Sequence, residues 1–474
     1  MAENTDTITS EIRQFDLNIE KVLEHWTIAH ALREIIANAL DEQALTGTAD
    51  PEIIKCNTDD WHIRDFGRGL RYEHLTQNEN VEKLKHPGKI IGKFGVGLKD
   101  ALATADRRGI GVLIRSPHSD ITITKTGKHG FADVMTLHAN ICPSANSSRT
   151  GTDFILSGVK DEDVAQAKSF FLCYSGDEIL EQTKYGTVLR KMGKRARIYV
   201  NGLCVAEEEK FLFSYNITSL TANLRKALNR ERTNVGRGAY ADRVKTILME
   251  CTGSFVADAL ASDLCNFETG NVHDELQWLD VALHACRILN ANENVIFVTS
   301  AQLQIAGSLI KHAEADGYRV IVVPQTIAAK LSTLKDINGE LVRDVGRYGE
   351  EWNNSFAFTF VAPDELTQKE KAIFALTEQI VQFAGKQRTR FIKQVLISET
   401  MRLTAYGTHE AAGLWCEEDG RIIIKRSELC TSQSYAATLL HEITHAFTQA
   451  DDLTQTFENG LTEMLGLLAV NTFK

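Results

Sequence analysis

Apolar residues recur every three to four positions through Leu32-Arg33-Glu34-Ile35-Ile36-Ala37-Asn38-Ala39-Leu40-Asp41, while Glu34, Asn38 and Asp41 share the opposite face. That spacing predicts an amphipathic helix whose polar face is free for chemistry. Next come Ile63-Arg64-Asp65-Phe66-Gly67-Arg68-Gly69-Leu70, a strand end with an acidic residue and two glycines, and Ile91-Gly92-Lys93-Phe94-Gly95-Val96-Gly97-Leu98-Lys99, which opens a helix. Thr150-Gly151-Thr152-Asp153-Phe154 leads into a strand, and Arg195 to Gly202 reads as a strand and turn. Asn294 to Thr299, Ala306 to Ala315 and Tyr318 to Pro324 read as strand, helix, strand, a βαβ unit with a buried parallel pair. A helix from Thr367 to Phe383 precedes strands at Gln394–Ser398, Gly413–Cys416 and Gly420–Lys425. Two helices follow, one opening at Ser432-Gln433-Ser434-Tyr435 with Ala437, Leu440, Ile443, Thr444 and Phe447 on its apolar face, the other beginning near Thr456.

Composition narrows the class. The chain has 474 residues, 43% hydrophobic and 24% charged, which predicts a globular protein of roughly three domains. No run of about 18 apolar residues occurs and the amino terminus is polar, so neither a membrane span nor a secretory signal is expected. Nine scattered cysteines without a CxxC pair read as reduced thiols of a cytoplasmic protein.

The helix after Tyr435 carries Leu440-His441-Glu442-Ile443-Thr444-His445-Ala446. Positions i and i+4 lie one above the other, so His441 and His445 can reach one tetrahedral zinc ion while Glu442 faces its water. Zinc would bring the pKa of that water to about 7 and Glu442 would take its proton. The bland alternative is a helix with two solvated histidines. An edge strand beside such a helix is where zinc peptidases hold an extended substrate. For the third ligand, Glu458 and Glu463 point about 140° apart on a helix, so one alone can face the metal. Glu458 is preferred, because it sits beside Phe457 with Leu461 and Leu465 supplying the packed face. Asp451 and Asp452 are candidates to orient a histidine from behind. The segment resembles the gluzincin type of metallopeptidase, in which a later glutamate completes a His2Glu site. Many members carry that glutamate directly before the glycine, where this chain has Asn459.

The four amino-terminal segments, taken singly, also fit a plain amphipathic helix, a turn, a glycine hinge and a hairpin. Together, in this order, they resemble the N-box, G1, G2 and Gly-Thr motifs of the GHKL ATPases, the group of gyrase, heat-shock chaperone, MutL and sensor-kinase ATP-binding domains. The resemblance covers about residues 20 to 160, with a looser extension to about 250. Asn38 offers an amide oxygen to Mg²⁺, and Glu34 one turn earlier can polarise the attacking water. By resemblance, Asp65 accepts the adenine amino group of ATP with Thr152 nearby, and Asp41, Gly67 and Gly69 belong to the same pocket. Gly92, Gly95 and Gly97, with Val96 and Leu98 between and after them, bring main-chain N–H groups toward the phosphates, and Lys93 or Lys99 would add a point charge.

Between Lys184 and Lys245 stand 14 Lys and Arg against 5 Asp and Glu, in a chain of net charge −11. The segment reads as a solvated basic face, as the source of a γ-phosphate sensor at Arg230 or Arg232, or as a nucleic-acid patch. The expected fold class is α+β multidomain: a GHKL α/β sandwich over 1–165, a transducer-like basic domain over 166–270, an α/β connector over 271–362 and a zincin domain over 363–474. The expected function is an ATP-regulated zinc metallopeptidase using ATP, Mg²⁺ and Zn²⁺ on an unknown protein substrate. The relatives imply an ATP-dependent homodimer, with a lid between Arg71 and Gly92. Rival readings are a GHKL clamp or chaperone-like ATPase whose zincin domain only binds a partner, and a MutL-like ATPase engaging nucleic acid, which the overall acidity disfavours. An intact Glu442 favours catalysis, since a binding-only domain has no use for the base.

Overall fold

The computed structural model describes residues 12–17, 23–76, 90–92, 97–128, 131–228, 234–264, 266–267, 270–404 and 410–472. It is an α+β multidomain protein whose chain divides into two compact units, one of 1–260 with 272–284, the other of 261–271 with 285–474. No helix among the described residues is long and apolar enough to cross a membrane.

The first unit is built on a seven-stranded sheet. Its strands are β1 (Arg13–Asp16), β2 (Glu52–Lys55), β3 (Trp61–Arg64), β4 (Gly111–Arg115), β5 (Ser119–Lys128), β6 (Phe131–Pro143) and β7 (Asp153–Ser157), in the spatial order β1-β6-β5-β4-β7-β3-β2. Every neighbouring pair is antiparallel. Helices α1 (Ile28–Thr46), α2 (Gly97–Arg107) and α3 (Asp161–Ser169) cover it. The periodic residues of α1, Leu32, Ile35 and Ile36, join Ala101 and Leu102 of α2 and Ile114, Ile121 and Leu156 of the sheet in one core. Burying that apolar stripe, more than helix propensity, is what holds α1 in place. α1 ends at Gly47, whose left-handed φ of 68° closes the helix through its N–H to Gln43 O.

A second sheet in the same unit has strands β8 (Ile179–Gln182), β9 (Gly186–Leu189), β10 (Ala196–Val200), β11 (Leu203–Glu208) and β12 (Ser214–Ile217), ordered β11-β10-β12-β9-β8. Its turn Asn201-Gly202 takes positive φ at both residues, the geometry that suits a two-residue hairpin.

In the second unit, β13 (Val295–Val298) and β14 (Arg319–Val322) pair in parallel, as the continuous apolar runs require. The helix expected from Thr367 to Phe383 is two helices, Gln368–Phe374 and Thr377–Ala384, parted at Ala375-Leu376. A three-stranded sheet follows, of β15 (Gln394–Ser398), β16 (Gly413–Cys416) and β17 (Arg421–Lys425), ordered β15-β17-β16. Ile422, Ile424, Leu439 and Ile443 tie it to α4 (Ser432–Thr448), with Met464 of α5 (Gln455–Thr472) in the same core. The cap of α4 is Thr431, one residue earlier than the sequence suggested, with its hydroxyl accepting the Ser434 N–H.

Candidate functional sites

In the first unit, α1 places Glu34 only 3% exposed, where Arg33 donates to its Oε1 through Nε (3.1 Å) and Nη2 (2.8 Å). The Arg33 guanidinium is fully buried and lies over Trp26 and Phe170, at 5.3 and 5.7 Å from their ring centres. Such a pair fixes one carboxylate oxygen and leaves the direction of the other defined by the neighbouring chain. That neighbour is the start of α2: a Cβ on Gly97 would lie 2.3 Å from Glu34 Oε2. One turn on, Asn38 is half-buried. A further turn places Asp41, whose carboxylate is buried and accepts the N–H groups of Ile91 (2.6 Å) and Gly92 (2.8 Å). Asp41 thus holds the segment that leads into α2.

Asp65 follows β3 directly. Its main-chain N–H donates to Thr152 O, and its Oδ1 accepts from the N–H groups of Gly67 (2.9 Å) and Thr152 (3.2 Å). Burial raises its pKa above the ordinary carboxylate value. The close approach explains Gly151: at φ 74° a Cβ there would come within 1.9 Å of Asp65 O. Thr152 Oγ1 accepts the Leu70 N–H at 2.9 Å, so this hydroxyl braces the glycine turn. Glu42 of α1 braces the same turn from the other side, accepting the Arg68 N–H and guanidinium at 2.9 Å each. A Cβ on Gly67 would strike the Glu42 side chain. Leu98 is buried in the core, so only its main chain is available to a ligand, and burial lowers the pKa of Lys99. Lys93, Gly95 and Val96, residues 77–89 of the expected lid, and Arg230 and Arg232 lie outside the described residues.

Three residues here carried no motif signal. Arg33 and Glu42 sit among charged positions that composition treats as surface. Asn201, at the tip of the β10–β11 turn, donates from Nδ2 to Ile90 O at 3.0 Å, tying the second sheet to the segment that Asp41 holds.

In the second unit, the Nε2 atoms of His441 and His445 stand 3.1 Å apart. Asp452 Oδ1 lies 3.2 Å from the first and 3.3 Å from the second. His445 Nδ1 donates to Ala450 O at 2.8 Å, with Nε2 turned toward His441 and Asp452. Gln449, at φ 50°, turns the chain back after α4 so that Ala450 and Asp452 face the histidines. Phe457 stacks on His445 with ring centres 4.2 Å apart and meets His441 at 4.9 Å. It thereby fills the face of α5 nearest the imidazoles. Glu458, about 100° further round the helix, is exposed and is not in the His441–His445–Asp452 cluster, and Glu463 pairs with Arg388 at 3.1 Å. The carboxylate that the structure brings to the histidines is Asp452.

Glu442, between the two histidines in sequence, packs against β16 and is 5% exposed. It accepts the Trp415 N–H, and a Cβ on Gly413 would lie 2.7 Å from its Cγ and Oε1. Burial, with a contribution from the charge of Asp452, pushes its pKa up to about 8. β16 is an edge strand of its sheet.

Residues 162–254 match a family model described as the Mycoplasma pneumoniae MPN635 N-terminal domain. An uncharacterized protein of Mycoplasma pneumoniae (strain ATCC 29342 / M129 / Subtype 1) is 37% identical over 242 residues, 50% of this chain and 97% of the relative. The chain belongs to the family of that mycoplasma protein. A second protein of the same organism, also uncharacterized, is 25% identical to this family member over 343 residues, 68% of the chain and 96% of the relative. The chain is also similar to the chaperone protein HtpG of Gluconobacter oxydans (strain 621H), 26% identical over 230 residues that make up 40% of the chain and 33% of the chaperone.

Proposed function

We propose that this protein is a chaperone-like ATPase of the GHKL kind whose second unit carries a zinc-dependent peptidase centre, with ATP binding in the first unit gating cleavage in the second. The observation that carries the ATPase reading is the Asp65 carboxylate, oriented by the Gly67 and Thr152 N–H groups at the foot of a glycine turn, in a chain partly similar to HtpG. Asp65 would take the adenine amino group. Asn38 would hold Mg²⁺, which would neutralise phosphate charge. Glu34, fixed by Arg33 at Oε1, would orient the attacking water with Oε2.

For the second centre the donor set fits zinc. Four-coordinate zinc with bonds of about 2.0–2.1 Å has ligand atoms about 3.3 Å apart in a tetrahedron, and the two imidazole nitrogens stand at 3.1 Å. His441 and His445 would hold the ion, which supplies a Lewis acid that polarises a carbonyl and makes a nucleophile available at neutral pH. Glu442 moves the proton, with its carboxylate aimed by the Trp415 N–H, and the main chain of β16 offers an extended polypeptide an edge to pair with. The buried, aimed Glu442 favours cleavage over a domain that only binds a partner. The test is a peptidase assay on zinc-loaded protein with a library of unfolded polypeptides, with ATP, with a nonhydrolysable analogue and without nucleotide. Cleavage that depends on nucleotide supports the reading. ATP hydrolysis without cleavage of any polypeptide leaves the chaperone-like ATPase and removes the peptidase.

A further inference from the structure

The two imidazoles need a third protein ligand, and three carboxylates lie within reach along the chain: Asp452, Glu458 and Glu463. We infer that Asp452 is the third ligand, so that all three metal-binding side chains and the adjacent Glu442 come from the single segment His441–Asp452. This rests on the metal-centre reading above and names its ligand set.

The geometry is specific. Nε2 of His441, Nε2 of His445 and Oδ1 of Asp452 form a triangle with sides of 3.1, 3.2 and 3.3 Å. A tetrahedral zinc ion with bonds of about 2.0–2.1 Å sets sides of about 3.3 Å. The triangle is thus one face of the expected coordination polyhedron.

The hydrogen-bonding roles point the same way. Ala450 O can only accept, so His445 Nδ1 donates in its 2.8 Å bond and Nε2 is the nitrogen left to present a lone pair to a cation. Asp452 Oδ1 also presents lone pairs, 3.3 Å away. A cation between the two would be held by both.

The loop is shaped to deliver the ligand. Left-handed Gln449 (φ 50°) and Leu453 (φ 62°) bracket it, and both are non-glycine residues in a conformation that costs energy. Between them Ala450 orients one histidine and Asp452 meets both. The competing glutamates are otherwise placed: Phe457 occupies the face of α5 toward the imidazoles, and Glu463 is paired with Arg388.

The test uses the full chain, stripped of metal and titrated with Zn²⁺ or Co²⁺. Wild type should take one equivalent, and its Co²⁺ form should show the intense visible bands of a tetrahedral ion. Asp452→Ala should weaken Zn²⁺ binding by more than about 100-fold, beyond the 10- to 100-fold typical of losing a partner that only orients a ligand. Glu458→Ala and Glu463→Ala should bind as wild type. Asp452→Cys should regain binding and add a thiolate-to-cobalt charge-transfer band, which Glu458→Cys should lack. Loss of metal in Glu458→Ala or Glu463→Ala with full binding in Asp452→Ala would overturn the assignment while leaving a metal centre in place. A wild type that takes up no stoichiometric Zn²⁺, or one indifferent to His441→Ala, would instead remove the metal centre itself.

Discussion

Gly97 stands so close to Glu34 that a Cβ at position 97 would lie 2.3 Å from the glutamate Oε2. Any side chain there must push Glu34 aside or lift the start of α2, and Arg33 holds the other carboxylate oxygen in place. Gly97→Ala should therefore leave the fold intact by circular dichroism while cutting ATP turnover at least about tenfold, since small misplacements at a reacting centre are costly. Wild-type turnover in Gly97→Ala would show that Glu34 Oε2 is not where the water is oriented.

The roles proposed for Glu34 and Asn38 separate chemistry from binding along α1. Glu34→Ala should keep ATP affinity and lose turnover by about 100-fold or more, the scale of a lost general base. Asn38→Ala, which removes the amide oxygen offered to Mg²⁺, should lose the Mg²⁺-dependent part of binding. Calorimetry with and without Mg²⁺, paired with a phosphate-release assay, reads both. Equal hydrolysis by wild type and Glu34→Ala would remove the assignment.

Asp41 and Asn201 hold neighbouring main-chain groups, the N–H groups of Ile91 and Gly92 on one side and the carbonyl of Ile90 on the other. Asp41→Ala leaves two N–H groups without their acceptor and should cost about 1–3 kcal/mol, with faster hydrogen exchange at 90–92. Asn201→Ala should speed exchange at the same residues with a smaller loss of stability. It should also weaken any effect of ATP on exchange in β10 and β11, because that contact joins the second sheet to the loop. Unchanged ATP-induced protection in β10 and β11 would show that the signal takes another route.

Much of this architecture was legible in the sequence because it rests on local pattern. The helix around Glu34 and Asn38, the strand end at Asp65 and the parallel pair at Val295 and Arg319 all follow from periodicity and turn chemistry. What stayed hidden depends on chain reversals. Glu458 was favoured by its helical register, but Phe457 takes the face toward the histidines and the left-handed Gln449 brings Asp452 round instead. Glu442 was legible as the carboxylate between the two histidines, but not as a buried residue wedged against Gly413, since that needs the position of β16. The basic stretch after Lys184 looked like a charged face. Several of its basic side chains form ion pairs, Lys184 with Glu250, Arg190 with Glu178 and Arg237 with Asp274, whose acids lie outside the stretch, and Arg195 with Glu209 within it.

In the second unit the acid response should follow Glu370. It accepts from the Thr367 N–H and from Nε and Nη2 of Arg426, and the Arg426 bond does most to lower its pKa from the ordinary 4.5 to about 2. A carboxylate with a depressed folded-state pKa contributes its stability in full above the unfolded value and loses it as pH falls through the folded one. Wild type should therefore exceed Glu370→Gln in thermal stability near neutral pH, and the gap should close between about pH 4.5 and pH 2. A gap independent of pH across that window would show that packing at the start of the Gln368–Phe374 helix, not the charge, is what Glu370 supplies.

The proposed peptidase centre offers the most direct separation of structure from chemistry. Glu442→Gln keeps the shape and should keep zinc, since both histidines are untouched, but an amide cannot take up the proton that hydrolysis releases. Cleavage should fall by about 100-fold or more with metal content at one equivalent. Gly413→Ala tests the setting of that carboxylate from the other side, because its Cβ would come within 2.7 Å of Glu442 Cγ and Oε1. This variant should also keep zinc and lose cleavage, and its folded state can be checked by the melting temperature. Metal analysis and product analysis by mass spectrometry on the same samples decide the matter: cleavage persisting in Glu442→Gln would show that proton transfer does not run through this side chain.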